Sequence, residues 1–73
     1  MEFNLERLVN DVNNGTVKGA EIRIDPAHNG KPDHIDAHIF YHDRNATKLT
    51  NMTGVDALKE ACPWMQPGST LNL

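Results

Sequence analysis

Disulfide pairing, a basic surface and a long apolar run are all missing from this 73-residue chain. Its single cysteine, Cys62, excludes an internal disulfide. No apolar stretch of signal-peptide length follows Met1 and acidic Glu2, so the expected compartment is the cytoplasm. No segment offers the roughly 20 apolar residues that a membrane-spanning helix needs. The Asn-X-Thr triplets at Asn14, Asn45 and Asn51 are therefore read as chance, since glycosylation requires secretion. Seven basic residues lie scattered among ten acidic ones, for a net charge of −3. That balance argues against a nucleic-acid partner, whose binders carry a basic patch, and makes a nucleic-acid accessory protein the least favoured of the alternative functions. Aromatic residues make up only 5% of the chain, so Phe40, Tyr41 and Trp64 each call for a reason.

What is present is globular in character, with 38% apolar and 23% charged residues. The length fits one α+β domain over residues 1–73. A domain of this size buries only about 60% of its unfolded surface, so its core is thin. Any site is expected to be shallow or shared between copies.

Periodicity assigns the elements. Leu5, Leu8, Val9 and Val12 form one apolar stripe of a helix over residues 4–13, with Asn4 as its cap and Asn14-Gly15 as its stop. Residues 17–24 alternate as a strand, with Ala20, Ile22 and Ile24 on one face. A loop with two prolines, 25–33, leads to a second strand over 34–42, HIDAHIFYH. A weaker third strand is expected near 47–50. Thr53 is expected to cap a second, short helix, with Asp56 approximating a capping box and Pro63 ending it. Residues 64–73 form a tail or an edge strand. The expected fold is a small antiparallel sheet of two to three strands with two helices packed on one face, in the order α-β-β-(β)-α. Its core is Leu5, Leu8, Val9, Val12, Ala20, Ile22, Ile24, Ile35, Ala37, Ile39, Tyr41, Leu49, Val55 and Leu58.

The second strand carries the chemistry. Ile35, Ala37, Ile39 and Tyr41 fall on the core side, while His34, Asp36, His38, Phe40 and His42 fall on the other. Three of the four histidines are on that polar side. Their spacing of four would gather a metal on a helix, but on a strand four residues span about 13 Å, too far to share one ion. A metal-binding alternative uses Asp36, His38 and His42, within one chain or across a dimer, and Asp36 with His38 also offers two ligands to which Glu21 on the facing strand would add a third. Solvated strand residues are the plainer account, and no cofactor is expected.

No enzyme motif survives inspection. Cys62 stands at a helix C-terminus, where the dipole disfavours a thiolate. His28-Asn29-Gly30-Lys31 is an exposed turn, far from a phosphate loop. Ser69, the only serine, has no nucleophile-elbow motif around it.

Phe40 is different, being a large aromatic in the middle of a polar strand face. A ring framed by polar groups of both signs is how the centre of a binding patch looks. The alternative is that Trp64 and Met65 fold over Phe40 into a second small core. The leading expectation is a non-enzymatic module that binds another protein as a regulator or inhibitor, through Arg23, Asp36, His38, Phe40 and His42, with Trp64 as a second anchor. A twofold homodimer would also bury Phe40. Short chains of this character are common among accessory proteins of phages and mobile elements, including inhibitors of host defence such as anti-CRISPR proteins. That expectation concerns class alone and rests on no motif.

Overall fold

The computed structural model describes residues 2–73. Its elements are α1 (Leu5–Asn13), β1 (Val17–Asp25), β2 (His34–Tyr41), β3 (Thr47–Met52), α2 (Val55–Ala61) and β4 (Thr70–Asn72). The strands form one sheet in the order β3-β2-β1-β4. Every pairing is antiparallel. The fold is α+β, as the patterning indicates, but the sheet has four strands rather than two or three.

The added strand is β4. It is three residues long, too short for alternation to declare itself. Backbone bonds from its flanks hold it to the edge of β1: Gly68 N–H donates to the Ile24 carbonyl at 2.6 Å, and Leu73 N–H to the Ala20 carbonyl at 2.8 Å. Gly19 makes this approach feasible, because a Cβ there would lie 2.9 Å from the Leu73 carbonyl oxygen.

Local chemistry sets most boundaries. Asn4 Oδ1 accepts the Arg7 N–H at 2.9 Å and caps α1. The loop between β1 and β2 is longer than a usual hairpin because it folds a turn of its own. His28 and Lys31 exchange two backbone bonds across Asn29 and Gly30, whose φ values are 50° and 77°. Both residues at positive φ make a type I′ turn, the geometry for which Asn-Gly is favoured. Asp33 Oδ1 then accepts the Ala27 N–H at 2.6 Å and closes the base of the loop.

The start of α2 differs from the expected cap. Gly54, at φ 102°, holds the N-cap position in place of Thr53. Pairing explains the offset: Thr53 bridges Glu2, and its carbonyl receives the Phe3 N–H at 2.8 Å. The helix therefore begins one residue later. It ends as expected, with Cys62 leaving helical geometry ahead of Pro63.

Leu8 from α1 and Val55 and Leu58 from α2 join one cluster with the sheet residues Ala20, Ile22, Ile24, Ile35, Ala37 and Ile39. Ile22, Ile24 and Ile35 are fully buried, and each contributes on the order of 1.5–3 kcal/mol by leaving water. Phe3, Val17, Met52 and Met65 complete the buried set beyond the expected list. Leu5, Val12, Tyr41 and Leu49 pack at its margin, and Val9 is half-buried. Met65 lies in this core, and Trp64 is 57% exposed. The alternative in which both fold over Phe40 is thereby corrected: Met65 belongs to the core between helices and sheet, and no second core forms over Phe40 among the described residues. No helix among the described residues is long and apolar enough to cross a membrane.

Candidate functional site: the outer face of the sheet

Register decides which polar residues meet. Across β1 and β2, Gly19 faces Phe40, Glu21 faces His38, Arg23 faces Asp36 and Asp25 faces His34. Lys48 of β3 lies opposite His38, and Thr70 and Asn72 of β4 lie opposite Arg23 and Glu21. Cross-strand partners share a face, so these residues form one continuous polar surface. A shallow depression of about 400 Å³ runs over it, lined in part by Glu21, Arg23, Asp36, His38, Lys48 and Thr70.

On the same face the His38 and Phe40 rings pack with centroids 4.4 Å apart and planes tilted by 42°. Phe40 is half-buried, and the residue facing it, Gly19, has no side chain to cover its ring. The result is an aromatic platform with an acid, a guanidinium and an ammonium on neighbouring strands.

Toward the loop end the same face becomes charged. Asp25, His34 and Asp36 bring one donor atom each to within 4.8 Å of one another. His34 Nε2 lies 3.4 Å from Asp25 Oδ2 and 3.8 Å from Asp36 Oδ2. The outward atoms are engaged elsewhere. Arg23 Nε lies 3.0 Å from Asp25 Oδ1, and Asn51 N–H donates to Asp36 Oδ1 at 3.1 Å. Asn51 sits at φ 56°, beside an irregularity in the β2–β3 register that turns this N–H toward Asp36.

Four expected contact residues, Arg23, Asp36, His38 and Phe40, are thus brought together. His42 is not part of β2: the strand ends at Tyr41, and His42 is exposed in the bend beyond it. Trp64 lies outside the sheet, in the turn after α2. The histidine stripe does not act as one ligand set, because His38 stacks on Phe40, His42 has left the strand and only His34 meets carboxylates within ligand reach. Asp25 was absent from the expected set. Its signal was available, since Asp25 and His34 border the loop symmetrically and a hairpin pairs its bordering residues.

Beyond the strand end, Arg44 Nε lies 3.1 Å from Asp43 Oδ1. Hydrogen bonding and then charge from Arg44 hold the Asp43 carboxyl below the ordinary carboxylate range, and the same pair raises Arg44. The Arg44 guanidinium also sits 4.7 Å from the Tyr41 ring centroid.

The chain matches no family model, no curated protein and no solved structure in comparisons with known proteins, so the chemistry of this face rests on its own geometry.

Proposed function

We propose that this chain is a non-enzymatic, protein-binding module that acts in the cytoplasm as a regulator or inhibitor of a partner protein, through the outer face of its sheet. The observation that carries this reading is the His38–Phe40 platform, half-buried and framed by Glu21, Arg23 and Lys48. Aromatic anchors in a polar rim of mixed sign suit a folded partner with a complementary pattern, an apolar centre flanked by charges. The scattered charge suits a nucleic-acid backbone poorly, because such partners call for a concentrated basic stripe.

The test is capture with the tagged chain from its native cells after nuclease treatment, with Phe40→Ala and Arg23→Glu alongside. A stoichiometric protein that both variants lose, while their melting temperatures stay near that of the parent, supports the reading. Recovery of a second copy of this chain alone, also lost in Phe40→Ala, makes the partner a homodimer mate. Equal capture by parent and variants overturns the assignment of the face.

A further inference from the structure

The loop end of the outer face, which shares Asp36 with the partner-binding surface, poses an electrostatic problem of its own. Three atoms converge there: Asp25 Oδ2, Asp36 Oδ2 and His34 Nε2. Each belongs to a side chain whose other polar atom is already held from outside the group. Asp25 Oδ1 is held by Arg23, Asp36 Oδ1 by the Asn51 N–H, and His34 Nδ1 lies 3.4 Å from the Pro32 carbonyl oxygen. A ring nitrogen facing a carbonyl must be the N–H donor, which leaves Nε2 as the lone-pair atom of the neutral ring. Three electron-rich atoms then point at one space. A positive charge at that point, either a proton on Nε2 or a metal ion, makes the arrangement favourable, and a metal-bound imidazole characteristically has its other N–H on a carbonyl in this way.

We propose that Asp25, His34 and Asp36 form a site for one divalent transition-metal ion of the zinc type, bound by His34 Nε2 and one oxygen from each aspartate. The spacing fits. Metal–nitrogen and metal–oxygen bonds of about 2.1 Å at a tetrahedral angle place their ends about 3.4 Å apart. The His34–Asp25 separation is 3.4 Å, and the His34–Asp36 separation of 3.8 Å needs a shift of only a few tenths of an ångström. One imidazole nitrogen among the donors favours zinc, cobalt or nickel over magnesium and calcium, which take oxygen alone. Two carboxylates offset the charge of the ion. The side chains of His34, Asp25 and Asp36 are 16%, 19% and 36% exposed, so the site is partly screened from solvent while an entry path stays open on the Asp36 side. Three protein ligands leave a fourth position for water or for a donor from outside the chain.

The test uses the intact chain after chelator treatment, titrated with Zn²⁺ by calorimetry and with Co²⁺ by visible absorption near neutral pH. The expected result is one ion per chain and a shift of the His34 Nε2 resonance in imidazole ¹⁵N spectra. His34→Gln and Asp36→Asn weaken binding by at least about tenfold, while His38→Gln and His42→Gln leave it unchanged. Asp36→Asn keeps an oxygen for the Asn51 N–H, so it decides the matter if His34→Gln melts early without metal. No binding tighter than about 1 mM, or binding that both ligand variants retain, overturns the proposal. So does equal loss in His42→Gln, which would mark general surface affinity. A His34 ring that simply carries a proton between the carboxylates, with no metal uptake, overturns it as well.

Discussion

The two faces of the sheet are built from the same strands and obey different rules. On the inner face Ile22, Ile24 and Ile35 are fully buried and packed by residues from both helices. On the outer face their immediate neighbours Glu21, Arg23, His34 and Asp36 stay at least partly open. The inner face fixes register, because slipping β2 by one residue would exchange isoleucines for histidine and aspartate in the core. The outer face is then free to carry chemistry, since its side chains are aligned by a register they do not have to specify. In a domain with so thin a core, stability and recognition are thereby separated by a single residue step along β2.

Substitutions can break or sharpen this contrast. The largest effect belongs to the inner face. Ile35→Ala is expected to cost about 2–5 kcal/mol, a large part of the roughly 4 to 11 kcal/mol available to a chain of this length. Urea unfolding should show a strongly lowered midpoint, and a change below about 0.5 kcal/mol would mean that the core collapses around the cavity. Gly19→Ala comes next and tests the seam between β1 and β4. Its Cβ would meet the Leu73 carbonyl oxygen, at a cost of about 1–3 kcal/mol. Amide exchange should quicken at Ala20 and Leu73 ahead of the β2 amides, and uniform exchange would show that β4 does not open by itself.

Phe40→Ala, on the outer face, should cost only about 1 kcal/mol, the value of an aromatic pair. Urea unfolding should leave the transition cooperative. A loss as large as that of Ile35→Ala would erase the distinction between the faces. The smallest effect lies at the strand end. Asp43 titrates below its ordinary value because of Arg44, so any stability it lends is present above the unfolded carboxylate range and lost as pH falls through the lower folded value. The group is fully exposed, and solvent screens the pair. Arg44→Ala should raise the Asp43 titration midpoint in NMR while its acid-unfolding curve overlays that of the parent.

Much of this was legible in the chain. Alternation placed β1, β2 and the inner core, and the i, i+3, i+4 stripe placed α1, because burial imposes a period on long elements. It could not place β4, whose identity comes from backbone bonds to β1 rather than from its own three residues. Met65 was missed for a related reason, since a turn has no period to announce which residue points inward. The platform of His38 and Phe40 followed from alternation alone. The grouping of Asp25 with His34 required the pairing of two strands, a relation between distant segments that neither strand carries by itself.

The turned N–H of Asn51 has a consequence at the margin of the sheet. β3 is an outermost strand, and such strands present rows of unsatisfied donors and acceptors that can template the addition of a foreign chain. At Asn51 that row is interrupted, because the amide is folded back onto the carboxylate of Asp36 and the backbone is bent out of extended geometry. A strand arriving from another molecule would find no straight ladder to continue. The same small irregularity that steadies Asp36 therefore also breaks the straight border that such an addition would need.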